Sequence, residues 1–197
     1  MALAVALSTT SFAHDAGAVD ELEVAGKAGY LTSPIQGGTT PFGAGFGGRI
    51  GLALSSFYLG VSVVDYLGGS DVTLSDHALL YGLEVGFGAH VASLGSSTLS
   101  LRAQVGVGDA AIMHTDPALA KVDIVTTASG TRSSTSSDTV TVNNVYFEPS
   151  LMLMLNAPSH FFGLSASALV VPGISYSGGE PETWLSFGLQ TQLGVHF

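Results

Sequence analysis

Few side chains in this chain could do chemistry, and they are spread thin. Two places set an acid beside a base: His77 next to Asp76, and His114 with Asp109 and Asp116 close by. Serines are plentiful around both, so acyl transfer through a serine, a histidine and an acid is the reaction these residue types could perform. A serine nucleophile needs its base held within hydrogen-bond reach, and proximity in a polar stretch does not hold one. Solvated loop residues account for both places equally well. There is no cysteine, hence no disulfide framework and no thiolate metal site. No His-Glu-x-x-His spacing occurs either. The sequence therefore assigns no catalytic residue, no metal ligand and no cofactor.

A second set of charges is placed differently. Lys27, Arg49, Glu84, Arg102 and Glu148 each fall near the middle of a stretch in which apolar residues alternate with glycine or polar ones. All five lie on the glycine-bearing face. Side chains alternate faces along a strand, so these charges share one side of a sheet whose other side is apolar. They are expected to form a buried charge network with Gln104, Gln190, Gln192, His90 and His196. Buried charges must pair or they are very costly.

Composition narrows what the sheet can be. The mean hydropathy is +0.46. Of the residues, 46% are hydrophobic and only 10% charged, against about 25% charged in ordinary domains. No apolar run reaches the 18 or more residues of a spanning helix, and 26 glycines interrupt the apolar stretches. Only helices and closed barrels satisfy their backbone within lipid, so a barrel remains. The net charge of −10 excludes the basic patch that nucleic acid needs.

Alternation predicts eight strands, at about 23–31, 42–54, 57–67, 79–92, 98–108, 144–156, 161–171 and 184–197. Phe42 is expected to point outward with Ala44 and Phe46. Pro149 cannot donate to a ladder, and a bulge is expected there. Short turns at 55–56, 93–97 and 157–160 alternate with long connections at 32–41, 68–78, 109–143 and 172–183. That is the pattern of an antiparallel up-and-down transmembrane β-barrel with short periplasmic turns and long extracellular loops. In the longest loop, 122–127 and 139–142 also alternate, which predicts a hairpin extending beyond the membrane. Its exposed strands could accept a partner strand, although no extracellular ligand is readable. Residues 1–13 read as a signal peptide without its basic start, ending on Ser11-Phe12-Ala13. Residues 14–22 would be a periplasmic segment, and 23–197 the barrel.

The same alternation fits a soluble barrel with its apolar face inward around a ligand. The charges decide between them. A water-facing outer wall would scatter many charges, whereas here the mid-strand charges gather on one sparsely charged face. On a lipid face an exposed Lys or Arg would cost roughly 2–4 kcal/mol. Lipid outside and polar groups inside is the consistent orientation.

The stretch 184–197 sets Leu185, Phe187, Leu189, Leu193, Val195 and Phe197 against small or polar residues and stops on an aromatic. With Phe46-Gly-Gly-Arg-Ile-Gly-Leu, Tyr58-Leu-Gly-Val-Ser and Leu83-Glu-Val-Gly-Phe, it resembles the small eight-stranded bacterial outer-membrane barrels, the OmpA-like and OmpX-like class. The resemblance covers about residues 23–197. It implies a bacterial outer-membrane location among lipid and lipopolysaccharide. It also implies that the barrel-assembly machinery reads the last strand, with Gln190, Val195 and Phe197 at the signal positions and Gln192 where glycine is usual. A structural or surface-interaction role with a side-chain-plugged interior is the expected function. Some small barrels acylate or deacylate lipid A, so a lipid-A-modifying enzyme is the alternative, and a narrow pore a third.

Overall fold

In the computed structural model the described residues are 21–34, 42–68, 77–115, 121–127, 130–136, 139–174 and 182–197. They form ten strands: β1 Glu21–Thr32, β2 Ala44–Leu54, β3 Phe57–Leu67, β4 His77–Leu94, β5 Ser97–Thr115, β6 Lys121–Thr127, β7 Gly130–Ser136, β8 Thr139–Asn156, β9 His160–Ile174 and β10 Glu182–His196. Eight of them close an antiparallel barrel in the order β1-β2-β3-β4-β5-β8-β9-β10, while β6 and β7 pair only with each other. The seam between first and last strands runs from Glu23↔His196 to Thr32↔Phe187. Below it, Leu22 and Phe197 exchange two backbone hydrogen bonds of 3.1 Å.

The strands are strongly staggered. A row of paired residues starting at Glu21 passes through Ala53, Tyr58, Gly86, Gln104, Ser150, Ser167 and Gly188. It returns to β1 at Leu31, far up the strand from where it began. That offset is the tilt a small closed barrel requires. Two hairpins turn on two residues each, Ser55-Ser56 and Gly95-Ser96. The first residue of each is left-handed, Ser55 at φ 56° and Gly95 at φ 65°. Tight hairpin loops need positive φ there to match the strand twist.

Alternation places the side chains as their types demand. Val61, Val63, Leu83, Val85, Val107, Leu151, Leu153, Leu164, Leu189 and Leu193 are exposed on the outside. Tyr30, Phe46, Tyr81, Phe147 and Phe187 lie toward the outer ends of the strands, and Phe57, Phe87, Phe162 and Phe197 toward the turns. Two aromatic belts around an apolar band is the exterior of a barrel that crosses a bilayer.

Several expectations are corrected. Phe42 is fully buried, not outward: it precedes β2 and turns in against Tyr66 and Trp184, with ring centroids 6.1 and 6.2 Å away. Pro149 makes no bulge. The β8–β9 register is the same on either side of it, and between Phe147 and Ser150 the rungs of Glu148 and Pro149 are missing. Both missing rungs would use one bond, from an N–H at 149 to the Ala168 carbonyl. Proline lacks that N–H, so the ladder skips a rung without slipping. Register shifts fall instead between His90 and Ala92 on β4 and between Glu182 and Trp184 on β10, and His90 is exposed rather than interior. Finally, residues 139–142 extend β8 against Ile112–Thr115 of β5, and 121–127 pairs with 130–136. The hairpin exists, but its partners are not those the alternation suggested.

Candidate functional site

The lumen gathers six charged side chains of the barrel wall. β1 carries Glu23 and Lys27 inward, β2 Arg49, β4 Glu84, β5 Arg102 and β8 Glu148, and all six are buried. Lys27 Nζ lies 2.7 Å from Glu84 Oε1. Arg102 clasps Glu23 with both nitrogens, Nη1 to Oε2 at 2.9 Å and Nη2 to Oε1 at 2.6 Å. Arg49 Nη2 approaches the same carboxylate at 2.8 Å, in ion-pair range but off the hydrogen-bond direction. Its Nε donates to Gln192 Oε1 at 2.6 Å. Glu148 accepts from the Gln190 amide, which also reaches Tyr66 Oη at 3.2 Å and Ser167 Oγ at 3.3 Å.

Glu23 was not among the residues singled out from the sequence. It shares the parity of Lys27 on β1, and that was the signal for it. With it the lumen balances three cations against three carboxylates, where the sequence reading had three against two. A bidentate arginine–carboxylate pair is the stronger kind of charge-assisted bond, and in this confined space it cross-ties opposite walls.

Aromatic faces complete the network. The Arg49 guanidinium sits 4.6 Å from the Tyr58 ring centre and 5.3 Å from that of Phe161, and Arg102 sits 4.3 Å from Tyr58. Cations over aromatic faces are attracted most where water is excluded. The Tyr58 ring fits only because glycines face it. A Cβ at Gly51 would meet Tyr58 Cε2 at 2.6 Å, and one at Gly60 would meet Cζ at 2.7 Å. The inward glycines are therefore the space that the bulky residues occupy, not empty channel.

The outer half of the lumen is apolar, which the sequence reading missed. Leu31, Phe42, Val64, Tyr66, Ala78, Leu80, Ala110, Ile112, Tyr146, Leu169, Val171 and Trp184 form one buried cluster. Every barrel strand supplies a member, except that Phe42 stands for β2 from just before its start. A smaller group of Ala25, Met152, Met154 and Phe161 sits toward the turns. The signal was a lapse in alternation near the outer strand ends, where Val63-Val64, Leu79-Leu80 and Leu169-Val170-Val171 are apolar on both faces.

His77 Nδ1 lies 3.1 Å from Asp65 Oδ1 at the outer rim, an acid that the sequence did not pair with it. Asp76 and Asp116 lie outside the described residues, as does the side chain of His114. Asp109 instead accepts a 2.5 Å bond from Tyr81 Oη on the outer face. Among the described residues no group of three or more His, Cys, Asp or Glu is placed to hold a metal. Of the expected assembly-signal residues, Gln190 is inside, while Val195 and Phe197 face out.

No family model and no curated protein matches this sequence. Solved structures do. The N-terminal β-barrel domain of Pseudomonas aeruginosa OprF is 14% identical, with a TM-score of 0.52 over 90% of this chain and 97% of that one. Neisserial surface protein A follows at 12% identity and TM-score 0.48, over 90% and 96%. Ail of Yersinia pestis gives 9% and 0.46, over 90% and 97%. The likeness to the OprF barrel shows a shared fold: this chain is an eight-stranded antiparallel barrel of the kind found in small outer-membrane proteins.

Proposed function

We propose that this is an integral outer-membrane protein with a structural or surface-interaction role, whose lumen is plugged by its own side chains. The observation that carries the reading is the pairing of an apolar outer band between two aromatic belts with a charge-balanced lumen capped by an apolar cluster. Water-facing walls would not leave Leu193 68% and Leu189 62% exposed while hiding Arg49 and Glu23. On this reading the band faces lipid, the outer rim faces lipopolysaccharide, and Val195 and Phe197 are presented to the barrel-assembly machinery. The hairpin β6–β7 is the part available to an extracellular ligand.

The alternative of a lipid-A-modifying enzyme rests on His77 and Asp65 at the rim. An imidazole held by a carboxylate is half of a hydrolytic site, but its described bond goes to that acid and not to a hydroxyl. Fractionation and gel migration with and without heating test the main reading. Heat-modifiable protein in the outer-membrane fraction is expected, and a soluble monomer would overturn it. An altered lipid A mass spectrum on loss of the gene would favour the enzyme instead.

A further inference from the structure

Backbone hydrogen bonds close the barrel unevenly. Along β5–β8 the ladder runs unbroken from Thr98↔Asn156 to Thr115↔Thr139. Along β8–β9 it is unbroken only from Asn156↔Phe161 to Ser150↔Ser167, and beyond that a single rung remains, Phe147↔Val170. The two prolines of the barrel strands flank that rung, Pro149 on β8 and Pro172 on β9. Successive residues of an antiparallel strand turn their backbone groups to opposite neighbours. By the register, an N–H at 149 would meet the Ala168 carbonyl, and an N–H at 172 would meet the Val145 carbonyl. Both missing donors therefore belong to this one seam. The second removes the rungs of Val145 and Tyr146, and the ladder does not resume above them among the described residues.

A side chain crosses the seam where the backbone does not. Glu148 stands next to the first missing donor, and its carboxylate accepts from the Gln190 amide on β10. That amide also reaches Ser167 Oγ on β9 at 3.3 Å. The lumenal cations are engaged elsewhere, Lys27 with Glu84 and both arginines with Glu23. Glu148 thus stands apart from the ion pairs and ties β8 to the opposite bank. Just beyond it the lumen face is apolar, with Tyr146 on β8, Leu169 and Val171 on β9 and Trp184 on β10 all buried in one cluster.

We propose that the outer part of the β8–β9 seam is a side door in the barrel wall, latched by the Glu148–Gln190 bond. It parts β8, which β5 carries along its whole length, from β9, which β10 carries up to Val171↔Trp184. Opening it breaks one rung and one side-chain bond, whereas an equal stretch of β5–β8 would lose a full ladder. The Ala168 and Val145 carbonyls lack their ladder donors even when the seam is shut, and such groups are costly in lipid. Local opening follows where few bonds hold a segment. The surface uncovered is the apolar cap, while the charged half of the lumen stays behind the continuous rungs from Ser150 to Asn156. That the door gives onto lipid rests on the membrane orientation proposed above.

The test compares neighbouring amides in the full protein, held in phospholipid nanodiscs and followed by NMR as they exchange with deuterium. The amides of Phe147 and Val170 close β8–β9, whereas those of Tyr146 and Glu148 face β5 at the same depth. Phe147 and Val170 are expected to exchange about tenfold faster. Pro149→Ala with Pro172→Ala restores both donors and is expected to abolish that difference. Glu148→Met with Gln190→Met replaces the latch by an apolar pair, and is expected to speed Phe147 and Val170 about tenfold further while leaving Tyr146 unchanged. Equal protection of the two seams in inserted wild type overturns the proposal without any variant having to fold. A difference that survives the restored donors overturns it too, and unchanged exchange in the latch variant overturns the role of Glu148 and Gln190. A wild type that fails to insert, seen as migration unaffected by heating, strikes the membrane orientation and not the seam.

Discussion

Glu23 is the residue on which the lumen turns. It holds Arg102 by two hydrogen bonds and Arg49 by charge. Removing one member of a buried ion group leaves the others uncompensated, at a cost of about 3–5 kcal/mol, whereas replacing a whole pair by apolar residues can be neutral. Glu23→Gln is therefore expected to lower the urea midpoint of unfolding in lipid by far more than the double change Lys27→Met with Glu84→Met. The single tryptophan, Trp184, lies in the apolar cluster and reports the transition by fluorescence. Equal losses in the two variants would mean that Glu23 is not the hub.

At the scale of the strands, depth decides what a charge costs. Leu83 pairs with Val61 and Val107 near mid-barrel, whereas Leu101 pairs with Ala89 and Leu153 close to the turns. Leu83→Arg is expected to cost about 2–4 kcal/mol in vesicles and Leu101→Arg about 0–1 kcal/mol, read as the shift in unfolding free energy. Pro149→Ala restores the N–H opposite Ala168. The new amide at 149 is expected to exchange slowly with deuterium, and rapid exchange would show that the rung stays open. The eight strands, their faces and the alternation of turns and loops were legible because lipid and lumen impose opposite chemistries on successive residues. Three things were not. Phe42 obeys parity only if β2 begins before it, and it does not. Pro149 suggested a bulge because sequence shows a missing donor but not whether neighbours will accept a skipped rung. The apolar cap was hidden because side chains such as Leu80 and Leu169 are apolar wherever they point. In the candidate site, the five mid-strand charges were visible from parity, but which cation meets which carboxylate depends on stagger, and that appears only once the barrel closes.

At the scale of the whole molecule, the proposed plug bears on conduction. Eight strands enclose a space that side chains can fill, and open aqueous channels appear at about 16–18 strands. No steady porin-like conductance is expected in planar bilayers, and a large current proportional to salt would refute the plug. Closure also depends on the last residue, since Phe197 exchanges backbone bonds with Leu22. Deleting Phe197 is expected to impair assembly more than Phe197→Ala, which keeps those bonds, as measured by the fraction of protein resistant to unheated gel denaturation. Equal defects would assign the effect to the aromatic side chain alone. The first strand has a further role in time. Glu23 and Lys27 both sit on β1, while Arg49, Glu84 and Arg102 stand on β2, β4 and β5. In an unclosed sheet these groups still face water, and of the pairs only Glu23 and Arg49, diagonal neighbours on adjoining strands, already lie close. Curling the sheet shut strips that water and joins the charges in the same step. A half-rolled intermediate has neither hydration nor partners to favour it, so refolding is expected to be all-or-none. Tryptophan fluorescence and gel mobility would then follow one time course, and a lag between them would reveal a populated open sheet.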